Sequence, residues 1–163
     1  MLMDELGKEL DKFMLFEWHR ILKKNSIDEE LGITGCWKKF ENRLRKTDIK
    51  LASPAMVDNL IFNLLADWNE IKYPTIEDIA RFHYRFEMIH PFQDGNSRTA
   101  RVILGHMLNL LHMPFEKIPD SFAARFLIVT KGLQKRNDRE VKYVLEEIYL
   151  NCMNRKELHQ VIN

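Results

Sequence analysis

The chain has 163 residues, which suits one domain and allows roughly two-thirds of the unfolded surface to be buried. Its 25 Lys and Arg residues are almost balanced by 24 Asp and Glu, and the formal net charge is +1. This balance gives no general reason to bind nucleic acid or an anionic membrane. We therefore expect a single domain over residues 1–163 with neither of those partners.

The two cysteines and six histidines do not stand at the spacings of a zinc site. Apolar runs stay short of the ~18 residues of a membrane span. Asp4 and Glu5 lie where a secretory signal would carry basic residues. These patterns predict a cytoplasmic protein, in which a disulfide between Cys36 and Cys152 is not expected.

The first half of the chain has mainly helical periodicity. An apolar stripe predicts a helix over residues 4–24. Ser53 and Pro54, as N-cap and first helical residue, begin a second helix that runs to about residue 70. A sequence like a capping box between Thr75 and Asp78 begins a third helix. Residues 32–52 contain two glycines before residue 37 and alternating polar and apolar side chains over residues 48–51, and they predict a short β-hairpin, with a surface loop or a continuing helix as the alternative.

The second half of the chain continues the helical pattern. A helix is predicted from Ser97 to about residue 112, and Pro114 then breaks the periodicity. Further helices are expected after the cap at residues 120–121, over residues 141–149 and from residue 154. The sequence therefore predicts an all-α fold, a compact bundle of about six to eight helices.

The twelve residues from His90 to Arg101, HPFQDGNSRTAR, place a base, a carboxylate, a glycine turn and two arginines close together. Gly95 and Asn96 tolerate positive φ, so successive backbone N–H groups can point into a concavity that suits an anion. A helix follows this turn directly, and free N–H groups at a helix start favour phosphate. The run therefore indicates a phosphate-binding site.

The charged residues of this run suggest how a phosphate would be handled. Arg98 and Arg101 share one face at a helix start, where the dipole disfavours cations, so a polyphosphate gripped by both is expected. Asp94 would be repelled by that polyphosphate unless Mg²⁺ lay between them. His90 is the candidate base for an attacking hydroxyl. Considered singly, these residues have plainer roles: a core or capping histidine, a turn aspartate and a surface ion pair.

The run resembles the signature of the Fic family, H-[P or x]-F-x-[D/E]-G-N-[G/K]-R-x-x-R, and departs from it once, at Ser97. The resemblance implies a Fic-type helical bundle with a hairpin flap near the active site. It implies an enzyme that transfers AMP from ATP, its co-substrate, to a protein hydroxyl and releases pyrophosphate. The roles implied are a catalytic base, His90; a Mg²⁺ ligand, Asp94; an anion hole, Gly95, Asn96 and Ser97; binders of the distal phosphates, Arg98 and Arg101; and a buried loop anchor, Phe92.

Ser97 stands where the family usually has Gly or Lys. If this position contributes mainly its backbone N–H, Ser is tolerable at a helix start. If it needs positive φ, Ser costs energy and could lower activity. The outcome depends on the backbone conformation at residue 97.

The resemblance also implies protein partners. In the family the flap holds a target segment as an added strand, so a substrate protein is expected to dock near residues 35–52. Many Fic proteins carry an inhibitory helix with [S/T]-x-x-x-E-[G/N], whose Glu pairs with the second signature arginine. The nearest match here runs from Ser26 to Glu30, but Leu31 follows it. A separate, antitoxin-like inhibitor chain that supplies a Glu to Arg101 is therefore a hypothesis.

Three functions from different classes are compatible with the sequence. The first is protein AMP transfer. The second is a related phosphotransferase that uses the inverted nucleotide, against which the retained Gly95 argues. The third is a non-catalytic nucleotide-binding or interaction module, in which Ser97 has weakened the chemistry. The sequence does not specify the target protein or the preferred nucleotide base.

Overall fold

The computed structural model describes residue 7 and residues 9–44 and 50–110. Within these ranges the chain forms five α-helices and no strand, so the all-helical prediction is confirmed for this part of the chain. The predicted helices beyond residue 112 lie outside the described residues, and the total of six to eight stays a prediction. The helices are α1 Lys12–Leu22, α2 Ile27–Glu30, α3 Val57–Glu70, α4 Ile76–Ile89 and α5 Asn96–Leu110.

Local capping signals determine where these helices begin. The Asp11 side chain accepts the Met14 N–H at 2.9 Å and caps α1, which begins at Lys12, within the helix predicted over residues 4–24. The predicted start at residues 53–54 is a 3₁₀ turn, Pro54–Met56, which leads into α3. Thr75 and Asp78 form the capping box of α4, each side chain bonded to the other's backbone N–H, as the sequence predicted.

The predicted β-hairpin is not found in the described part of residues 32–52, namely 32–44 and 50–52. Residues 35–44, here called the flap segment, bond instead to the loop that follows α4. The Lys38 N–H donates to the Pro91 carbonyl at 2.8 Å. The Gln93 side-chain oxygen accepts the N–H groups of Lys39 and Phe40 at 3.2 and 3.1 Å. The backbone of the flap segment therefore bonds to the loop after α4, whereas the prediction expected it to pair with a neighbouring strand.

The core holds the end of α4 beside the start of α5. Helix α4 packs against both α3 and α5, and α1 packs against α5 and α3. None of these helices in the described part is long and apolar enough to cross a membrane. The largest fully buried apolar side chains come from α1, α3, α4, α5, the residue Leu10 before α1 and the loop before α5: Leu10, Leu15, Ile61, Leu64, Trp68, Ile79, Phe86, Phe92, Ile103, Leu104 and Met107.

Candidate active site

His90 ends α4 in a left-handed conformation, with φ 50° and ψ 60°. This backbone is unfavourable for a residue with a Cβ by about 1 kcal/mol or more. The imidazole Nδ1 lies 3.1 Å from the main-chain oxygen of Glu87. Since a carbonyl only accepts, Nδ1 carries the hydrogen, and the lone pair of neutral His90 is on Nε2.

Burial strongly affects the charge of His90. Its side chain is 13% exposed, and this burial, with a smaller effect of the Lys38 charge, lowers its pKa to about 4. His90 is therefore neutral near pH 7. A neutral imidazole with a free Nε2 lone pair can accept a proton from a hydroxyl group.

Phe92 is fully buried, as an anchor of the loop would be. Its ring stacks on the imidazole of His19, with centroids 3.9 Å apart and planes inclined by 2°. Its N–H donates to Asn96 Oδ1, and its carbonyl accepts from Asn96 Nδ2, both at 2.8 Å. A further bond reaches the Phe92 carbonyl from Asn42 Nδ2 at 2.9 Å. The loop is therefore held by hydrogen bonds to both the N–H and the carbonyl of Phe92.

The turn into α5 has the geometry of an anion-binding site, with residue roles that differ in detail from the expectation. Gly95 has φ +78°, whereas Asn96 is helical and its side chain is turned inward to the loop. Helix geometry leaves the N–H groups of Asn96, Ser97 and Arg98 without partners inside α5. These N–H groups, together with the helix dipole, favour a phosphate at this end.

Ser97 does not distort the helix start. Its φ is not positive, so the energy cost considered from the sequence does not arise. Its hydroxyl donates to Glu87 Oε2 at 3.3 Å. The hydroxyl thus finds a partner on α4, and the Ser97 N–H remains at the first turn of α5.

Asp94 is the carboxylate expected to bind Mg²⁺. Its side chain is 64% exposed, accepts Lys23 Nζ at 2.6 Å and lies 3.6 Å from Arg98 Nη2. The bond from Lys23 holds the pKa of Asp94 below its usual range, so the group is ionised. Among the residues that the structure describes, no three His, Cys, Asp or Glu side chains converge on a metal position. One exposed, ionised carboxylate suits Mg²⁺ held together with phosphates.

The two arginines lie one turn apart on α5. The Arg98 side chain is half exposed beside Asp94, and Arg101 is partly buried. The charge of Arg101 acts on two buried groups of α4 and lowers the pKa of both His83 and Glu87, as a secondary effect in each. Both arginines lie within the first two turns of α5, at the end where phosphates would lie.

Two buried polar residues of α4 were missed by the sequence reasoning. Glu87 is 3% exposed, with Oε2 3.7 Å from His90 Nδ1 and Oε1 4.0 Å from His83 Nε2. Burial raises the pKa of Glu87 to about 7 and lowers that of His83 to about 4. Glu87 precedes His90 by three residues on a helix, and that spacing was a usable signal.

Helix α1 and the residue that caps its end contribute two further residues that were missed. His19 is buried, its Nδ1 accepts the Gly35 N–H, and its Nε2 donates to the Asp94 carbonyl, both at 2.9 Å. These bonds fix a neutral imidazole, and burial lowers its pKa. Lys23 bonds to the Asp94 carboxylate. Both residues lie more than 70 residues from Asp94 in sequence, so no local pattern indicated them.

The segment that resembled an inhibitory motif contains the short helix α2. Glu30 is exposed at the end of the four-residue helix α2 and forms no ion pair with Arg101 there. Asp28 in the same helix forms an ion pair with Lys23. The segment therefore contacts the candidate site through Lys23.

The sequence is similar to curated protein adenylyltransferases over part of its length. It is 30% identical over 102 residues to protein adenylyltransferase fic-1 of Caenorhabditis elegans and 34% identical over 93 residues to a probable protein adenylyltransferase of Aquifex aeolicus. These matches span 61% and 48% of this chain but only 20% and 29% of those proteins. The similarity therefore concerns a limited part of each relative.

Solved structures share the fold. A Fic domain-containing signaling protein from Bacteroides thetaiotaomicron superposes with a TM-score of 0.72 at 20% identity. The match covers 93% of this chain and 64% of that protein chain. Fic-1 of C. elegans superposes with a TM-score of 0.69 at 21% identity, and the match covers 99% of this chain and 48% of that chain. The sequence profile of the Fic/DOC family matches residues 9–108, more than half of the chain. The chain therefore belongs to the Fic/DOC family.

Proposed function

We propose that this chain is a protein adenylyltransferase, which transfers AMP from ATP to a hydroxyl side chain of a target protein. The observation that carries the proposal is the neutral His90, with its lone pair on Nε2, held beside a helix start that bears two arginines. Similarity to named protein adenylyltransferases supports the same reaction.

The residues of the chain would divide the work as follows. His90 Nε2 takes the proton of the target hydroxyl while the hydroxyl oxygen forms a bond to the α-phosphorus of ATP. The bond from that phosphorus to the bridging oxygen breaks, and pyrophosphate leaves. Arg98 and Arg101 hold the distal phosphates, and the first N–H groups of α5 hold phosphate oxygens. Mg²⁺, when bound, would be held by Asp94 together with the phosphates and would offset their negative charge.

The proposed docking site for the target protein lies near residues 35–52, a range that includes the flap segment. Phe40 is 72% exposed and offers an apolar contact there. The N–H groups of Lys39 and Phe40 already bond to Gln93, so an added strand would need to displace that side chain or use other backbone groups. A target and its modified residue type are not specified by these contacts.

The test uses ATP labelled at either the α or the γ phosphate, with Mg²⁺ and a host lysate. His90→Asn is the chosen variant, because Asn tolerates left-handed backbone better than Ala and retains a donor near the Glu87 carbonyl. We expect α-label on protein in the wild type and a loss of roughly 10²- to 10⁴-fold in the variant. His106→Asn, which changes a histidine bonded to the Gly7 carbonyl, is the matched control and should retain transfer.

Other outcomes assign the alternatives. Label from the γ position alone would identify a phosphotransferase. Binding of ATP without any transfer would identify a binding module or an enzyme held inactive by a separate inhibitor chain. The undistorted helix start at Ser97 supports catalysis over the binding module, because the substitution leaves the helical backbone intact.

A further inference from the structure

Lys23 places a buried ammonium group against the proposed metal ligand. It follows α1 directly, its side chain is 7% exposed, and its Nζ bonds to carboxylate oxygens of both Asp94 and Asp28. Its stem lies over the turn that precedes α5, since a Cβ on Gly95 would be 3.2 Å from Lys23 Cδ. A positive charge therefore occupies the edge of the phosphate-binding turn.

This arrangement keeps Lys23 charged. Burial opposes the ammonium charge, but Lys23 Nζ donates bonds to the carboxylates of Asp28 and Asp94, which compensate for the lost hydration. The negative charge of ionised Asp94 is thereby offset in the free protein. A divalent cation that binds Asp94 would lie beside this ammonium, and two like charges so close repel each other.

The second carboxylate gives Lys23 an alternative partner. Asp28 is much less exposed than Asp94, with side-chain exposures of 21% and 64%. If Asp94 turned to a metal ion, the ammonium of Lys23 would still be paired with Asp28. A buried charge that loses its only partner is strongly destabilising, and Asp28 removes that cost.

We propose that Lys23 is the resident counter-ion of Asp94, and that Mg²⁺ displaces it when nucleotide binds while Asp28 retains the released ammonium. The inference rests on the proposed function in taking Asp94 as the metal ligand. It gives the segment around α2 a role, because Asp28 in α2 acts on the metal ligand through Lys23.

The test measures Mn²⁺ binding to the full chain by electron paramagnetic resonance, with and without a non-hydrolysable ATP analogue. Lys23→Met removes the ammonium and keeps an apolar stem, so Mn²⁺ should bind about tenfold more tightly. Among the residues that the structure describes, Asp28→Asn leaves Lys23 with Asp94 as its one anionic partner, so Mn²⁺ should bind several-fold more weakly. Asp94→Asn identifies the signal that belongs to this site.

Lys24→Met, at the exposed neighbouring position, should leave Mn²⁺ affinity unchanged. The proposed exchange would be overturned if Lys23→Met and Asp28→Asn shifted the Mn²⁺ affinity in the same direction. It would also be overturned if Lys23→Met left the affinity unchanged or bound no Mn²⁺. Opposite shifts cannot come from general unfolding. Because Mn²⁺ binding needs no AMP transfer, failure of the labelling experiment would count against the proposed function alone.

Discussion

Glu87 has a buried, ionisable carboxyl group whose Oε2 lies 3.7 Å from Nδ1 of His90. Its pKa of about 7 exceeds the ordinary 4.5, so between these values the folded chain binds more protons than the unfolded chain. Its contribution to stability is therefore present at low pH and is lost as pH rises through about 7. His83 and His90 act oppositely: with pKa values of about 4, they favour the folded state above pH 6.5 and lose that contribution as pH falls.

We predict that Glu87→Gln becomes progressively more stable than the wild type as pH rises. The amide carries no charge, so the variant avoids the cost of ionising a buried carboxyl group. The free energy of unfolding of the variant, relative to the wild type, should increase by on the order of 2–3 kcal/mol between pH 5 and pH 8. Urea titrations at both pH values measure this change. Glu70→Gln, at an exposed position, should show none, and an equal difference at both pH values would contradict the prediction.

The junction between the loop after α4 and the start of α5 depends on the Asn96 side chain, which forms hydrogen bonds with the main chain of Phe92. Asn96 is buried and closes a two-bond ring with the main chain of Phe92. Its bonds resemble those between two strands, and they fix the turn that places Gly95 and the first N–H groups of α5. Removal of the Asn96 amide leaves the Phe92 N–H buried without its acceptor.

Asn96→Ala should therefore lower the free energy of unfolding by about 2–3 kcal/mol. Asn96→Asp keeps an acceptor for the Phe92 N–H but sets an oxygen against the Phe92 carbonyl, so it should be at least as destabilising. Chemical denaturation provides the measurement. Asn109→Ala, an exposed site on the same helix, should change stability by less than about 0.5 kcal/mol. A similar small effect at residue 96 would show that the ring does not hold the turn.

The same elements show what the sequence could and could not predict. The start of α4 was predictable because Thr75 and Asp78 bond to each other within one helical turn. The flap segment was mispredicted as a hairpin because its partners, such as Gln93, lie more than 50 residues away. Lys23 was missed for the same reason. Signals within one turn of helix are local, whereas pairing across the fold depends on tertiary packing.

At the scale of the whole molecule, the candidate site is assembled from distant parts of the chain. The carboxyl end of α1, the flap segment, the end of α4 and the start of α5 all meet at one loop. An unfolded chain would separate these parts and could not hold a nucleotide in the same way. Nucleotide binding is therefore linked to global stability.

We predict that ATP with Mg²⁺ raises the melting temperature of the wild type. At a ligand concentration about 100-fold above the dissociation constant, the gain is about 2.7 kcal/mol, or roughly 5–10 °C for a chain of this size. The double variant Arg98→Ala with Arg101→Ala should lose most of that rise, measured against its own unliganded melting temperature by calorimetry. Arg85→Ala, which removes an arginine paired with Asp67 away from the loop, should retain it. An equal rise in the double variant would mean that the two guanidinium groups do not hold the phosphates.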